Sequence, residues 1–380
     1  YSQMVGRLQS RGKHWKISTQ THTVISGVGS MSKANDSFCV MPFYGSEMPI
    51  ATHCCLLPKK YNVEKIRKEM LDGKRPVECN KCWFLENRGL LSDRQLKNQM
   101  LDYYMDRDIR YIEEDCRQGN YETRVYKIDT SFNCNGACVT CGPTHSSLWA
   151  KLTNQNHLKS MNLEDVDELV NYSTAIDINF RGGEPLLSRT NFQILERLLE
   201  NNNNTCLITF TTNGSVKLTE KQIDILSQFE NIGFNLSIDA TEKAFEYIRY
   251  PLSWQRLNQN LVDYREITKN ISVSCTISNI SVMYYDALVN WFNKNQLPYN
   301  YNPVHRPTYF RPSALSQKVK NHILENTNSN VVEDLLENHT TDDDIEFDQC
   351  KKQIAQQDHI KGIHVKNYLP ELHSVFGFDH

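Results

Sequence analysis

The chain has 380 residues, of which 39% are hydrophobic and 23% are charged, and its formal net charge is -3 at pH 7. This length can bury a substantial core in one large domain with appendages, or in two domains. The near-neutral charge argues against nucleic acid as a partner. No apolar run is long enough to cross a bilayer, and the amino terminus lacks the apolar core of a signal peptide. We therefore expect a soluble, cytoplasmic protein with no membrane partner.

The 12 cysteines occur in groups along the chain. In a large α/β protein this grouping favours metal ligation in a reducing compartment over a disulfide framework. Residues 1–30 form a basic segment, which we interpret as a leader or a fused segment, and a peptide-binding arm is the alternative. The rest of the chain is divided by its patterns into a cysteine-rich region over 31–118, a central domain over 119–305 and a helical extension over 306–380.

The first cysteine group lies within the cysteine-rich region and offers four thiolates. Residues 38–43 predict the start of a strand, and residues 50–57 predict its hairpin partner. Cys79 and Cys82 follow as a C-x2-C pair, a spacing that is typical of ligands to a metal ion or an iron-sulfur cluster. The four thiolates are Cys39, Cys54, Cys79 and Cys82, with Cys55 as the alternative to Cys54 and otherwise a buried small residue. Such a closed set suits zinc as well as iron and sulfur.

A charged stretch over 94–114 predicts a helical connection with a solvated face between this region and the central domain.

The most informative feature is the run Cys-Asn-Gly-Ala-Cys-Val-Thr-Cys, which places Cys134, Cys138 and Cys141 in a C-x3-C-x2-C spacing. Three thiolates leave a cluster iron without a protein ligand, and that iron can bind a cofactor. The run follows a predicted strand, so it would emerge at the carboxyl end of that strand, where α/β barrels place their chemistry. The alternative is a closed zinc site completed by His145 or Cys116.

The triplet, together with a later motif, resembles the radical S-adenosylmethionine (SAM) enzymes. The later motif is Gly182-Gly183-Glu184-Pro185, which follows a short β-rich run over 175–180. The resemblance implies that the three cysteines hold a [4Fe-4S] cluster whose remaining iron chelates SAM. It also implies that the Gly-Gly-Glu-Pro motif contacts the amino group of SAM. Thr140 stands where the family often has an aromatic residue. The first cysteine group looks like the twitch auxiliary-cluster region of some members, although here it precedes the barrel.

Strand and helix patterns alternate through the central domain and predict an α/β fold with parallel strands. The predicted strands are 125–130, 175–180, 206–212, 233–238, 271–277 and 299–303, and the predicted helices between them are 192–199, 220–229, 257–267 and 285–293. The family resemblance implies a partial (β/α)6 barrel. From periodicity alone, a doubly wound sheet would fit equally well.

Polar residues follow several of these strands and supply the remaining candidate SAM ligands. The set is Thr212, Asn213, Ser237, Asp239, Arg249 and Asn279. Among them, Arg249 would pair with the SAM carboxylate because a guanidinium matches a carboxylate with two hydrogen bonds. Each residue taken singly also fits a cap or a turn.

The resemblance implies reductive cleavage of SAM to a 5'-deoxyadenosyl radical, which removes hydrogen from a substrate carbon. The electron would come from a flavodoxin- or ferredoxin-type donor. We favour a peptide or protein substrate with net oxidation, and a sugar or nucleotide is the alternative. Two readings without catalysis stay open: a zinc-stabilised RNA- or protein-binding module, and a degenerate barrel that keeps its cluster and binds partners.

Overall fold

A computed structural model describes residues 36–49, 52–54, 56–58, 60–87, 89, 91–337 and 343–378. The interpreted leader over 1–30 and Cys55 lie outside these residues. Within these ranges, none of the helices is both long enough and apolar enough to traverse a bilayer.

One sheet of seven parallel strands forms the centre of the molecule, and its strands follow each other in chain order from β1 to β7. The strands are β1 Gly45–Met48, β2 Val125–Ile128, β3 Asp177–Phe180, β4 Leu207–Thr212, β5 Ile232–Ser237, β6 Ile271–Ile277 and β7 Tyr299–Pro303. A doubly wound sheet reverses its strand order at a switch point, whereas a barrel keeps it. The predicted partial barrel is therefore confirmed, with β2 to β7 as its six expected strands.

Helices surround this sheet and form both terminal regions. In chain order they are α1 Met41–Tyr44, α2 Val63–Leu71, α3 Asn80–Glu86, α4 Asp93–Tyr104, α5 Ile109–Arg117, α6 Ser147–Thr153, α7 Leu163–Asp167, α8 Arg189–Glu200, α9 Glu220–Ser227, α10 Glu242–Ile248, α11 Trp254–Ile267, α12 Tyr285–Lys294, α13 Gln317–Asn326, α14 Asn330–Glu337, α15 Asp343–Lys361, α16 Val365–Tyr368 and α17 Pro370–Phe376. Several begin at a capping box, such as α9, where Thr219 and Gln222 exchange hydrogen bonds.

Side chains alternate between the two faces of each strand. In β6, the core-facing positions Ile271, Val273 and Ile277 are buried, and the hydroxyl-bearing positions between them are half-buried. β4 shows the same alternation, with Ile208 and Phe210 towards the core. Because successive side chains of a strand point to opposite faces, the apolar face packs under the helices and the polar face lines the barrel interior.

Strand β1, which is additional to the six predicted strands, was not predicted from the sequence. The prediction that residues 38–43 start a strand is wrong. Residues Met41–Tyr44 form a helical turn with Pro42 in its first turn, where a missing N–H costs no helical hydrogen bond. The strand begins at Gly45 and pairs in parallel with β2. Of the predicted hairpin, the described residues retain one antiparallel bridge, between Glu47 and Thr52. Gly45 has no side chain, and a Cβ there would overlap the carbonyl oxygen of His53.

The charged connection over 94–114 also differs from the prediction. It consists of two helices, α4 and α5, and its charges are not simply solvated. Arg94 is buried, and its guanidinium pairs with Glu86 at 2.8 Å. Lys97 forms an ion pair with Asp177 of β3 at 2.6 Å. Asp177 is 80 residues from Lys97 in the chain, and Glu86 lies in the preceding helix α3, eight residues from Arg94, so the pattern within the stretch 94–114 gave no sign of either pair.

Candidate active site

The loop that carries Cys134, Cys138 and Cys141 leaves the carboxyl end of β2, as predicted. Two backbone hydrogen bonds fasten it to the end of α10. The N–H of Ala137 donates to the carbonyl oxygen of Tyr250 at 2.6 Å, and the N–H of Val139 donates to that of Ile248 at 2.8 Å. The loop is therefore held by the β5 side of the barrel as well as by its own strand.

Gly136 lies between two of the three thiols. A Cβ built on Gly136 would lie 3.4 Å from Cys138 Sγ and 3.8 Å from Cys134 Sγ. The N–H of Gly136 also points at Cys134 Sγ, at 3.4 Å. Backbone donors to cysteine sulfurs are one of the means by which proteins tune iron-sulfur clusters. The loop thus offers sulfurs with an uncrowded space between them, which fits a cluster.

The three cysteines differ in accessibility: Cys134 and Cys138 are half-buried, and Cys141 is the most exposed. Burial raises the pKa of Cys134 to about 12 and that of Cys141 to about 11, and it also raises the pKa of Cys138. Metal ligands must be deprotonated, so a metal that binds here would displace the thiol protons.

Side chains from outside the loop hold its carbonyl groups. The hydroxyl of Ser146 donates to the carbonyl oxygen of Gly136 at 2.7 Å, and Trp149 Nε1–H donates to that of Cys138 at 2.9 Å. The amide of Gln357, on the carboxyl-terminal helix α15, donates to the carbonyl oxygen of Val139 at 3.0 Å. These residues were not among the sequence candidates. Ser146 and Trp149 follow the loop closely in the chain but belong to no motif, and Gln357 is 218 residues from Val139.

The two glycines of the Gly-Gly-Glu-Pro motif permit a close approach to the cysteine loop. Gly182 has φ +102, and a Cβ there would overlap the carbonyl oxygen of Ser131. A Cβ on Gly183 would overlap the carbonyl oxygen of Asn133. The N–H groups of Gly183 and Glu184 donate to these same two carbonyl oxygens at 2.9 and 2.8 Å. The motif is thus joined directly to the segment that precedes Cys134.

Glu184 is buried, and it links the motif to the end of β4. Its carboxylate accepts hydrogen bonds from the Thr212 hydroxyl at 2.7 Å, the Asn213 N–H at 2.7 Å and the Leu186 N–H at 3.1 Å. Burial raises the pKa of Glu184 to about 7, against the opposing effect of these donors. Pro185 follows in the first turn of a short 3-10 helix, Pro185–Leu187.

Asn213 connects the end of β4 to the cysteine loop. Its Nδ2 donates to Asn135 Oδ1 at 2.9 Å, and Asn135 Nδ2 donates to the Ser215 hydroxyl at 2.8 Å. The Ser215 hydroxyl in turn donates to Asn213 Oδ1 at 2.6 Å. Asn135, inside the C-x3-C segment, was not a sequence candidate. This closed triangle brings Thr212 and Asn213 to the cysteine loop, as the strand-end argument predicts.

Asp239 and Arg249 form a buried ion pair, with Arg249 Nη2 2.7 Å from Asp239 Oδ2. The other carboxylate oxygen accepts the N–H of Thr276 at 2.7 Å. Although burial opposes the charge of Arg249, Asp239 and then Cys138 raise its pKa above the ordinary value. Arg249 Nε has no hydrogen-bond partner among the described residues, and it is buried. An orphaned buried donor of this kind is available to a bound anion.

The last two candidates differ in accessibility. Ser237 ends β5 on its polar, half-buried face and pairs in register with Ser274. Asn279 is fully buried, and its amide donates to the carbonyl oxygens of Tyr309 at 2.9 Å and Ala314 at 3.0 Å. Both amide hydrogens of Asn279 are thus engaged within the fold, an arrangement that favours a structural role. Its assignment to SAM stays a prediction.

Three of the four cysteines before the barrel lie close enough to interact electrostatically. Burial raises the pKa of Cys39 above the ordinary range, and Cys82 and Cys79 raise it further. The backbone N–H of Arg94 donates to the sulfur of Cys82, and the Arg94 guanidinium lowers the pKa of Cys39 and Cys79. Cys54 packs against the same hydrophobic cluster as Cys39 and Cys79. A nearby cation and N–H donors both favour thiolates.

This group lies at the amino-terminal end of the sheet. Its hydrophobic cluster contains Val125, the first residue of β2, and Ile176, which precedes β3. The loop with Cys134 leaves the other end of β2. The two cysteine groups are therefore at opposite ends of the same strand.

The proposed zinc ligands Cys116 and His145 do not join the central triplet. Cys116 belongs to the amino-terminal cluster and interacts with the Tyr44 hydroxyl. His145 is exposed, and its ring lies against Phe132. In the part of the chain that the structure describes, no three His, Cys, Asp or Glu side chains converge as ligands of a single metal ion. Cysteines around a cluster bind separate irons, so they do not need to converge in this way.

Residues 128–284 match the family model described as the radical SAM superfamily. The chain therefore contains a radical SAM domain, and the resemblance drawn from its cysteine triplet and its Gly-Gly-Glu-Pro motif is confirmed. The comparison with curated proteins gives no match.

Several solved structures are similar. A structure of native anSMEcpe with bound AdoMet shows 13% identity and a TM-score of 0.37, with 63% of this chain and 61% of that chain covered. Streptococcus suis SuiB bound to S-adenosylmethionine shows 14% identity and a TM-score of 0.41, with 72% and 60% covered. SuiB bound to its precursor peptide SuiA shows 12% identity and a TM-score of 0.42, with 72% and 64% covered. The chain thus spans about three fifths of the length of these structures.

Proposed function

We propose that this protein is a radical SAM enzyme in which Cys134, Cys138 and Cys141 hold a [4Fe-4S] cluster with one iron open to SAM. The observation that carries the proposal is the anchored cysteine loop. Two of its sulfurs flank Gly136, and its backbone is hydrogen-bonded to the end of α10 and to the Gly-Gly-Glu-Pro motif. When bound, the cluster and SAM supply a 5'-deoxyadenosyl radical that removes hydrogen from a substrate carbon. The protein's own part is to fix both partners and exclude water.

The residues next to this loop are the proposed SAM ligands. Gly182 and Gly183 have no side chains, so the motif lies directly against the carbonyl oxygens of Ser131 and Asn133 and is held beside the cysteine loop. The buried Nε of Arg249 is a donor that a carboxylate of SAM would satisfy. Ser237 adds a half-buried hydroxyl on the interior face.

For the cysteines before the barrel, we propose an auxiliary iron-sulfur site built by Cys39, Cys54, Cys79 and Cys82. The support is the clustering of Cys39, Cys79 and Cys82 around the Arg94 cation. Such a site would supply electron transfer, which suits a net oxidation of the substrate. Zinc is the alternative, and it would make this region structural. Because the site is at the opposite end of β2 from the SAM loop, we assign it no direct contact with the reacting carbon.

We propose a peptide or protein as the substrate and a flavodoxin- or ferredoxin-type protein as the electron donor. A sugar or nucleotide substrate is the alternative. The cytoplasmic location inferred from the sequence also stays a proposal.

Anaerobic reconstitution with iron and sulfide, followed by SAM and dithionite, tests the central proposal. We expect a brown protein that releases 5'-deoxyadenosine, measured by liquid chromatography with mass detection. The variants Cys134→Ala, Cys138→Ala and Cys141→Ala should abolish the product. Cys206→Ala is the matched control, because Cys206 is a buried core residue at the start of β4. A colourless protein that retains zinc at the central triplet would refute the proposal.

The same preparations test the auxiliary site. Iron and sulfide are counted in wild type and in the Cys79→Ala, Cys82→Ala double variant. A loss of iron and sulfide in the double variant, with the central cluster still present, supports an auxiliary cluster. An unchanged iron count accompanied by a loss of bound zinc assigns zinc instead.

A further inference from the structure

A cavity of about 300 Å³ opens at the amino-terminal end of the barrel interior. Its strand wall includes five polar side chains that are electrically neutral, and Asp177 of β3 adds one carboxylate. The neutral residues are Asn179, Thr209, Asn235, Ser272 and Asn300. The five neutral residues come from five neighbouring strands, β3 to β7. The sheet register pairs Asn179 with Thr209 and Asn235 with Ser272, and it offsets the other neighbours by two residues, since Thr211 pairs with Asn235 and Ser274 pairs with Asn300. None of these residues belongs to the SAM site described above.

The facing wall is helix α4. It contributes Leu96, Met100, Tyr103 and Tyr104 to the lining. The cavity therefore has a hydrogen-bonding wall on one side and an apolar, aromatic wall on the other, a common construction for ligand pockets.

Helix α4 is held in place from both sides, so the cavity is preformed. Asn98 Nδ2 and Arg94 Nη1 donate to the carbonyl oxygen of Phe38, at 2.9 and 2.7 Å. On the barrel side, Lys97 pairs with Asp177 at 2.6 Å. This ion pair neutralises the charges of its own two members, and the other charged residue of the lining, Asp93, is acidic and exposed. The charges of the lining therefore do not select a phosphate or a carboxylate.

The neutral wall selects a ligand that both donates and accepts hydrogen bonds. Side-chain amides and hydroxyls carry both functions, as the peptide group does. We propose that this cavity binds a backbone segment of a peptide substrate, with its amide groups on the asparagine, threonine and serine side chains and its apolar side chains against α4. The assignment to a substrate rests on the proposed radical SAM function.

The distance to the cysteine loop favours a peptide over a small metabolite. The polar face of β6 continues from Ser272 in the cavity through Ser274 to Thr276 near the carboxyl end. At about 3.3 Å per residue, this strand of 7 residues is roughly 23 Å long. In the proposed binding mode, an extended peptide of similar length follows these polar positions from the cavity towards the SAM end, whereas a monosaccharide or a nucleoside is shorter than the strand.

Saturation-transfer NMR on the full chain tests this assignment with three probes at equal concentration. They are a capped hexapeptide of alanine and serine, glucose, and adenosine. We expect the hexapeptide to receive magnetisation and the other two to fail to displace it. Ser272→Phe, which fills the cavity, should weaken hexapeptide binding at least tenfold. Val262→Phe adds the same ring to the exposed face of α11 and should leave binding unchanged.

A second pair of variants tests the proposal independently, so that the test does not depend on the folding of Ser272→Phe. Thr209→Val removes a hydroxyl with little change of shape and should weaken hexapeptide binding several-fold, and Thr209→Ser should restore it. Equal affinity of wild type and Thr209→Val, or stronger binding of glucose or adenosine than of the peptide, overturns the proposal.

The formation of 5'-deoxyadenosine without added peptide is measured on the same preparations, so that the two proposals can fail separately. If the protein cleaves SAM but the hexapeptide does not bind, the cavity assignment is wrong and the radical SAM function stands. If the hexapeptide binds in the cavity and SAM is not cleaved, the binding assignment stands and the catalytic one is lost.

Discussion

The side-chain amide of Gln357 donates to the carbonyl oxygen of Val139, and this hydrogen bond joins residues 218 positions apart in the chain. Gln357 lies on α15, in the helical extension after the barrel, and Val139 lies between the second and third cysteines of the loop. The extension therefore contacts the cysteine loop directly. It helps to fix the backbone that presents Cys138 and Cys141.

We predict that Gln357→Leu loosens this loop. The substitution removes one hydrogen bond, worth about 1 kcal/mol, and leaves a buried carbonyl oxygen without its donor. A reconstituted cluster should then lose iron to a chelator several-fold faster than in wild type, as followed by visible absorbance under anaerobic conditions. Gln356→Leu is the control, because Gln356 is exposed on the same helix. Equal rates for the two variants would contradict the proposed role.

Lys361, one turn after Gln357, provides a pH prediction. Its ammonium lies 4.8 Å from the centre of the Trp149 ring and 3.2 Å from Gln357 Oε1. Burial lowers the pKa of Lys361 from 10.5 to about 8. Between these two pH values the unfolded chain binds the proton and the folded chain does not. The stability of the folded state therefore rises with pH across this window.

We expect Lys361→Met to remove this dependence. In urea unfolding of the cluster-free protein, wild type should gain up to about 3 kcal/mol relative to the variant between pH 8 and pH 10.5, by the energy equivalent of the pKa shift. Other titrating groups are common to both proteins and cancel in the difference. Unfolding free energies that run parallel in the two proteins across this range would show that the Lys361 pKa is not depressed.

The parts of the molecule that were predictable from sequence are those governed by local patterns. Strands β4 and β6 have buried positions at a period of two, and the motif glycines and cysteines occupy short runs with fixed spacing. Strand β1 was missed because only four residues pair and three of them, Gly45, Ser46 and Glu47, are weak strand formers. Its place in the sheet is set by its neighbour β2.

The contacts that complete the candidate site were not predictable for a different reason. Gln357 and Trp149 reach the loop carbonyls across tertiary contacts, and their own segments read as ordinary helices. Arg249 was placed at the site by the resemblance to the family. Its buried partner Asp239 was proposed only as a further SAM ligand, and the structure shows that the two residues pair with each other.

The close approach of the motif to the cysteine loop leads to a prediction for Gly183. A Cβ at this position would overlap backbone atoms of Asn133 and Phe132, which cannot move away as a flexible side chain can. We expect Gly183→Ala to displace the segment before Cys134 and to lower the amount of cluster incorporated on reconstitution by at least half. Iron and sulfide analysis measures the effect. Gly142→Ala is the matched control, since a Cβ there meets nothing within 4 Å. The same cluster content in both variants would show that the approach is not required.

The Arg249–Asp239 pair leads to a prediction that separates folding from ligand binding. Arg249→Met leaves a carboxylate in a dry environment, and Asp239→Asn leaves a guanidinium there. Breaking a buried ion pair from one side costs about 3–5 kcal/mol, much of it for the charge that is left behind. The double variant removes both charges, so its loss of unfolding free energy should be smaller than the sum of the two single losses. Urea unfolding of the four proteins measures this coupling, and strictly additive losses would argue against the pair.

The same four proteins decide what Arg249 does for SAM. If its buried Nε serves the SAM carboxylate, the double variant should regain stability relative to the single variants and still fail to bind SAM in equilibrium dialysis after reconstitution. If the ion pair only stabilises the barrel end near Thr276, the affinity for SAM should rise and fall with the free energy of unfolding. The double variant should then bind SAM better than either single variant. The two roles thus give opposite orders of SAM affinity in variants whose stabilities are known independently.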